Sequence, residues 1–406
     1  MVILPPCFRQ YVNVTSHFKA SSLKSIFFII YTFCISSYVF GQQTDTLRFY
    51  SNVFKSERTV YITTPEFYKY QSKEVKLPVV FLLDGQHEWF VNPVLNTIRY
   101  LQYTHQIPHC IVVTIPLVNR NKECGIKNLE GDELPLYKFI TEEIDEKIKL
   151  YQVNKYKLLI GHSFSASFSL YAYFKNPNYF SAVIANTPLD NFKELILAID
   201  SNDNIDKQRI YISVGGNAKH EDYFHRKAFD KLEKEFPAFF NSIHTFVAKS
   251  AGHNAVPILA TPNLLTKLFS EFSKRYTDIA SVDDNYMIID KPSSIEDEIY
   301  KIETASKIVG NFYPPEIADL NGLASRYWNS NLINYAIAIY ELGTKYYPGY
   351  YDFHLQLYEL LLETDLERAK LNLNKANDLL KTVETNNSAR DEIMEEIAKE
   401  MKKNGW

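Results

Sequence analysis

The chain has 406 residues, the length of two or three ordinary domains. Its apolar fraction of 46% and charged fraction of 23% are those of a globular protein and exclude wholesale disorder. The formal net charge is −4, and this acidic balance argues against nucleic acid as a partner.

The first 41 residues have the pattern of a secretory signal peptide. Residues 1–24 contain Arg9, Lys19 and Lys24 and no acidic residue, residues 25–40 carry no charge, and Gly41 follows as a small residue. The uncharged run is shorter than the about 20 residues that a membrane span needs. We therefore expect a secreted or periplasmic protein, with an uncleaved N-terminal membrane anchor as the alternative.

Neither a metal nor a cofactor is predicted. The four cysteines (Cys7, Cys34, Cys110 and Cys124) match no zinc-binding spacing and no disulfide framework. Removal of the signal peptide leaves Cys110 and Cys124, and their spacing does not decide whether they pair. His220, Glu221 and His225 form a small cluster, but they lack the spacing of a zinc-binding helix.

Residues 42–278 alternate apolar runs with helical patterns. Four runs lack polar alternation and are typical of strands buried on both faces of a parallel sheet: 77–83, 110–115, 157–160 and 209–214. Helical patterns such as 136–151 and 222–236 lie between them. This order predicts an α/β fold with a doubly wound, mostly parallel sheet.

The chain changes character after this part. Residues 279–310 are rich in turn formers and are predicted to be a linker, and residues 311–406 read as helices only. Their spacing resembles tetratricopeptide units, one good and one degenerate, with plain helical hairpins as the alternative. The positions that carry this pattern in the first unit are Leu320, Leu323, Ala324, Tyr327, Ala336, Tyr340, Gly343 and Pro348. Such a region is a candidate surface for a protein partner.

A nucleophile motif follows the third apolar run. Gly161-His162-Ser163-Phe164-Ser165 joins a buried strand to a helical stretch, the context in which a tight turn exposes a catalytic serine. The usual pattern is Gly-x-Ser-x-Gly, and here Ser165 takes the place of the second glycine. Ser163 is the predicted nucleophile.

A serine nucleophile needs a histidine as base and a carboxylate to orient that histidine. In this type of fold the carboxylate follows the serine in the chain, and the histidine follows the carboxylate. His253 lies in a loop between a strand-like run and a helix, where that order requires the base. The acid should follow the 209–214 run, where Glu221 and Asp222 both qualify. Either carboxylate also fits as a helix cap, so the residues alone leave the choice open.

An oxyanion hole needs two backbone N–H groups directed at the developing charge. Phe164, directly after the serine, supplies one, and Gln86, in the Gly85 turn after the first apolar run, is predicted to supply the other. Trp89 and Phe90 are candidates for lining an acyl or alcohol pocket, with a place in the core as the alternative.

These segments together resemble the "Putative esterase" family, which includes esterase D and the enterochelin esterases and is similar to the mycolyltransferases. The resemblance spans residues 45–275 and rests on LPVVFLLDGQHEWF, VVTIPLVNR, LLIGHSFSASFSLYAYFKNPNYFSAVIANTP, YISVGG and GHNAVP in that order. It implies an α/β-hydrolase fold, Ser163 as nucleophile, His253 as base and a hole formed by Gln86 and Phe164. The mycolyltransferase pattern favours Glu221 over Asp222 as the acid. Ser165 departs from the family pattern, as does the loop after Val118, which keeps only Asn119-Arg120 of the usual Arg-x-Arg-Asp stretch.

The sequence therefore predicts a serine carboxylic-ester hydrolase that acts on a small-molecule ester through an acyl-enzyme. Two alternatives remain open from the sequence. One is an acyltransferase that uses the same acyl-enzyme, and the other is a non-catalytic α/β-hydrolase scaffold whose helical region binds a partner.

Overall fold

A computed structural model of the chain describes residues 43–216, 223–308, 310–382 and 388–406. The predicted signal peptide and both candidate acids, Glu221 and Asp222, lie outside the described residues.

The centre of the molecule is an eight-stranded sheet with the order β1-β2-β4-β3-β5-β6-β7-β8. The first two strands are antiparallel to their neighbours, and the other six run parallel. The strands are β1 Gln43–Ser51, β2 Ser56–Thr64, β3 Leu77–Leu83, β4 Ile111–Ile115, β5 Val153–His162, β6 Ala182–Asn186, β7 Ile210–Gly215 and β8 His244–Ala248. The predicted doubly wound, mostly parallel sheet is confirmed.

Helices cover both faces of this sheet, and strand β3 shows why its sequence is apolar throughout. Successive side chains of a strand point to opposite faces. Val79 and Phe81 accordingly pack in one apolar cluster and Val80 and Leu82 in another, and all are buried. The helices of this part are α1 Glu88–Tyr103, α2 Arg120–Cys124, α3 Pro135–Lys138, a π-helical turn Phe139–Ile144, α4 Asp145–Ile148, α5 Phe164–Lys175, α6 Phe192–Asp200, α7 Tyr223–Glu235, α8 Pro237–Ser242, α9 Val256–Leu268 and α10 Ser270–Lys274.

The remainder of the chain is almost entirely helical. Its helices are α11 Ile295–Ala305, α12 Ile317–Asn329, α13 Ile333–Tyr346, α14 Tyr351–Leu361, α15 Leu366–Lys381 and α16 Ser388–Lys403, and β9 Lys307–Ile308 pairs with β10 Asn311–Phe312. Helix α11 lies within the segment predicted to be a linker. The positions that suggested a repeat are buried where α12, α13 and α14 meet, except Pro348, which is exposed, and the ring of Phe353 packs against Gly343. Whether these hairpins are tetratricopeptide units stays a prediction.

The helical region packs against the edge of the sheet at which the parallel strands begin. The carboxylate of Glu316, at the start of α12, accepts the N–H of His109 just before β4 at 2.9 Å. The Ser72 N–H, in the loop that leads to β3, donates to the Tyr346 carbonyl at 2.8 Å. Apolar residues of both parts belong to one continuous cluster. Because parallel strands end at the opposite edge, the helical region lies a strand length from their carboxyl ends, about 15–20 Å.

Cys110 and Cys124 are both free, buried thiols, so the question of their pairing is answered. Burial raises the pKa of the Cys110 thiol to about 12, which keeps it protonated and unreactive. Within the described ranges, no helix is long and apolar enough to span a bilayer.

Candidate active site

Ser163 stands at the junction of β5 and α5 in a backbone conformation that few residues adopt. Its φ is 61° and its ψ is −119°, a region in which a side chain is strained. The turn is held by the Ser163 N–H, which donates to the Asn186 carbonyl at 2.8 Å, and by the Ser163 carbonyl, which accepts the N–H of Ala166 and of Ser167. A strained strand-to-helix turn at a serine is the geometry of a nucleophile elbow.

Gly161 explains why this turn needs small residues. A Cβ built on Gly161 would lie 2.3 Å from the Ser165 carbonyl oxygen and 2.6 Å from Ser169 Oγ. Strand β5 and helix α5 therefore almost touch. Ser165, at the second glycine position, fits because its side chain is fully buried and hydrogen-bonded.

His253 lies five residues after the end of β8, in a short 3₁₀ turn that leads into α9. Its ring centroid is 4.6 Å from that of His162, which precedes the nucleophile. The fold thus brings the predicted base beside the residue that precedes the predicted nucleophile, although 91 positions separate these two histidines in the chain.

His162 holds the loop that carries His253. Its Nε2 is 3.0 Å from the His253 carbonyl oxygen, so Nε2 carries the proton and donates it. Burial first, and the nearby His253 second, lower the pKa of His162 to about 4, so its ring is neutral at physiological pH. The ring also contacts Trp89 edge-on at 5.5 Å and Phe90 at 5.6 Å.

The predicted acid of the triad cannot be located, because both candidates, Glu221 and Asp222, fall outside the described residues. In the chain, both candidate acids stand between strand β7 and helix α7. His225, in the first turn of α7, has its ring 4.9 Å from that of His253. Helix α7 therefore begins beside the predicted base.

The predicted oxyanion loop follows β3. Gly85 allows the chain to turn against β4, since a Cβ there would lie 2.7 Å from the Pro116 nitrogen. The Gly85 N–H donates to the Ile115 carbonyl at 2.9 Å, and the Gln86 side-chain oxygen accepts the Leu117 N–H at 2.8 Å. Phe164 is the first residue of α5, so its N–H has no partner within the helix. Both predicted donors thus belong to segments at the carboxyl edge of the sheet.

The sequence analysis missed Asp84, which links these segments. Asp84 is fully buried with a φ of 60°, and it accepts hydrogen bonds from Arg120 Nε at 2.6 Å and Arg120 Nη2 at 3.0 Å. Its carboxylate also accepts from Ser165 Oγ at 2.6 Å and Gln86 Nε2 at 3.1 Å. The sequence did hold a signal for this pair: Asp84 follows β3, and Arg120 follows the neighbouring parallel strand β4. Because the carboxyl ends of neighbouring parallel strands lie side by side, the two side chains could have been expected to meet.

A cavity of about 280 Å³ opens beside this site. Thr187, in its wall, directly follows Asn186, whose carbonyl binds the Ser163 N–H. His225, also in the wall, is the neighbour of His253 described above. The remaining lining is mostly apolar and comes from the ends of β6 and β7 and from α6 and α7: Pro188, Leu189, Asn191, Phe192, Lys193, Glu194, Val214, Ala228, Phe229 and Leu232.

The two aromatic residues after Gln86 have different environments. Phe90 is 1% exposed and belongs to the core, as the alternative reading held. Trp89 is 47% exposed and stacks on His87 with a centroid distance of 5.6 Å. Trp89 is thus an exposed aromatic surface at the rim of the site.

Comparisons with known proteins agree with this geometry. Residues 51–237 match the sequence profile of the "Putative esterase" family. An IroE-like serine hydrolase from Shewanella oneidensis is 19% identical, with a TM-score of 0.55 over 74% of this chain and 98% of that one. An uncharacterised protein from Capnocytophaga ochracea is 16% identical, with a TM-score of 0.51 over 88% of this chain and 99% of that one. In sequence, the uncharacterised protein YjcH of Bacillus subtilis is 25% identical over 173 residues, which are 41% of this chain and 70% of that one.

The two structural likenesses show the fold, and the family match carries the functional information. The resemblance predicted from the sequence is confirmed, and with it the coarse prediction of an esterase-type hydrolase.

Proposed function

We propose that this chain, whose residues 51–237 match the "Putative esterase" family, hydrolyses carboxylic esters through an acyl-enzyme on Ser163. The observation that carries the proposal is the backbone of Ser163, with φ of 61° and ψ of −119° at a strand-to-helix turn. A strained conformation persists only where the surrounding structure enforces it, and such residues concentrate at active sites.

The proposed reaction assigns each group one task. His253 takes the proton from Ser163 Oγ as the oxygen attacks the ester carbonyl, and the backbone N–H groups of Gln86 and Phe164 bind the resulting oxyanion. Collapse of this intermediate breaks the bond to the alcohol, which leaves with the proton from His253. Water then attacks the acyl-enzyme by the same route and releases the acid. Glu221 is proposed to orient His253, with Asp222 as the alternative.

The cavity beside the site points to esters with an apolar group. A cavity of about 150 Å³ with apolar walls suffices for benzene. The present one, of about 280 Å³, has room for an aromatic or a medium-length aliphatic group. The apolar side chains of Phe192, Val214 and Phe229 would bind such a group without leaving polar atoms unpaired.

A panel of p-nitrophenyl acyl esters and a fluorophosphonate probe test the proposal together. The wild type should hydrolyse esters and be labelled at Ser163, and Ser163→Ala should lose about 10⁴-fold or more in kcat/KM while staying folded. Ser169→Ala is the matched control, because it removes another buried serine hydroxyl of α5, which donates to the Ser165 carbonyl one turn after the proposed nucleophile. Labelling at Ser165 or Ser167 instead, or full activity in Ser163→Ala, would overturn the assignment.

A further inference from the structure

We propose that Ser165 and Asp84 are positioning residues for this reaction, which lock the loop of Gln86 to the turn of Ser163. The inference rests on the proposed function, because it concerns the geometry of the same oxyanion hole. It assigns a role to the serine that occupies the usual glycine position of the motif.

Ser165 connects the two segments directly. Its Oγ accepts the N–H of His162 at 2.8 Å and donates to Asp84 Oδ2 at 2.6 Å, in a place with no exposure to solvent. A glycine at this position would offer neither contact. The hydroxyl therefore ties the residue before the nucleophile to the residue two positions before Gln86.

Arg120, the first residue of α2, closes the network from the segment that follows β4. It binds both oxygens of Asp84, and its Nη2 also donates to the His162 carbonyl at 2.6 Å. Both backbone polar groups of His162 are therefore held, the N–H by Ser165 and the carbonyl by Arg120. The residue that leads into the strained turn has no freedom to shift against the oxyanion loop.

The charges of this network also suit the reaction. An isolated carboxylate beside an oxyanion hole would repel the negative charge that develops there. The guanidinium of Arg120, which is bound to both oxygens of Asp84, offsets that charge. Asp84 can thus fix Gln86 through the hydrogen bond from Gln86 Nε2 at 3.1 Å without opposing the transition state.

Loss of the Ser165 hydroxyl should misplace the oxyanion donors slightly, without removing them. Removal of a whole donor costs about 10²–10³ in kcat. We therefore expect Ser165→Ala to lower kcat about 10-fold, with KM unchanged, because the affected contacts act on the transition state. Ser165→Gly, which carries the residue usual in the motif, should show the same loss in this chain.

The experiment compares both variants with Ser169→Ala, which removes a buried hydroxyl one turn further along α5 that binds only the Ser165 carbonyl, at 2.8 Å. The measured quantities are kcat and KM on a p-nitrophenyl ester, the rate of phosphonylation at Ser163 and the thermal unfolding midpoint. We expect both Ser165→Ala and Ser169→Ala to lose stability, the first more than the second because its hydroxyl also binds a buried carboxylate. Turnover and phosphonylation should be slower only in the Ser165 variants.

Two outcomes overturn the inference in distinguishable ways. If the wild type hydrolyses esters and both Ser165 variants turn over like Ser169→Ala, Ser165 serves packing alone and only this inference fails. If the wild type neither hydrolyses esters nor reacts at Ser163, the proposed function fails and the inference fails with it. If Ser165→Ala does not fold, Asp84→Asn tests the same network, because it keeps the shape of the Asp84 side chain but removes its charge. It should likewise lower kcat and leave KM unchanged.

Discussion

At the scale of single residues, Gly161 sets the distance between strand and helix that exposes Ser163. The atoms nearest to a Cβ at this position are the Ser165 carbonyl oxygen at 2.3 Å and its carbon at 2.5 Å, and these backbone atoms move only if the helix moves with them. We expect Gly161→Ala to cost about 1–3 kcal/mol of unfolding free energy and to lower kcat, because relief of the clash must shift α5.

Gly322→Ala is the control for this prediction. Gly322 lies on the exposed side of α12, where no atom approaches an added Cβ within 4 Å. Alanine should stabilise that helix by up to about 1 kcal/mol and leave turnover unchanged. Chemical unfolding and ester hydrolysis measure both variants, and a fully active, equally stable Gly161→Ala would contradict the packing argument.

At the scale of elements, the start of helix α12 is bound to the sheet by an ionisable cluster. The Glu316 carboxylate accepts hydrogen bonds from His105 Nδ1 at 2.8 Å and from the His109 N–H at 2.9 Å. Asp319 accepts a hydrogen bond from the Glu316 N–H and forms an ion pair with Arg275. Burial alone would raise the pKa of Glu316, but the two histidines and Arg275 together lower it. Burial would likewise lower the pKa of His105, but the hydrogen bond and charge of Glu316 raise it.

The raised pKa of His105 predicts a stability difference that depends on pH. Protonated His105 is favoured in the folded state, so its contribution is complete below the unfolded pKa of about 6.5 and is lost as pH rises through the folded value. We expect His105→Asn to destabilise the chain by about 1 kcal/mol at pH 6 and by less at pH 9, a modest figure because the side chain is 35% exposed and screened. Asparagine is chosen because His105 has a φ of 56°, which asparagine tolerates.

Urea unfolding of the wild type and the variant at both pH values measures this difference. Glu341→Gln is the control, since its pair with Arg368 is half-exposed and should contribute little at either pH. A destabilisation by His105→Asn that grows toward pH 9 would contradict the assignment. Turnover at 25 °C should not change in either variant, because the cluster lies at the edge of the sheet opposite Ser163.

The same scale shows what the sequence could and could not predict. Strands β3, β4 and β7 were recognisable because their apolar runs are buried on both faces, and the elbow because its small residues follow such a run. Strand β1 gives a weak signal, since its residues alternate between exposed and half-buried at the antiparallel edge. The Asp84–Arg120 pair could not be derived from local spacing, because it joins residues 36 positions apart.

At the scale of the whole molecule, the α/β part and the helical region pack together through one continuous apolar cluster. The rings of Phe67 and Tyr70, in the loop before β3, contact Tyr350 of the helical region at centroid distances of 5.7 and 5.8 Å. Such aromatic contacts across the joint stabilise both parts. Ser163, His253 and Gln86 all lie at the other edge of the sheet. The helical region therefore packs at the edge of the sheet opposite the candidate site.

The predicted signal peptide precedes the first described strand. The described residues of β1 pair with β2 from Gln43 opposite Thr64 to Ser51 opposite Ser56. Cleavage after Gly41 would leave all of these residues in the mature chain. We expect exported protein to begin near Gln42, as N-terminal sequencing would show, and a charge placed in the apolar run, as in Ile29→Glu, to block export and leave the precursor in the cell.

The matched control is the chain from residue 42 onward, produced in the cytoplasm. It should fold and hydrolyse esters without oxidising conditions, because the sheet is complete and Cys110 and Cys124 are free. Intact N-termini recovered from the membrane fraction would instead show that residues 1–41 anchor the protein. The N-terminus found in cells therefore shows whether residues 1–41 are a signal peptide or an anchor. The activity of the shortened chain shows whether the enzyme folds without them, and we expect it to be active in either case.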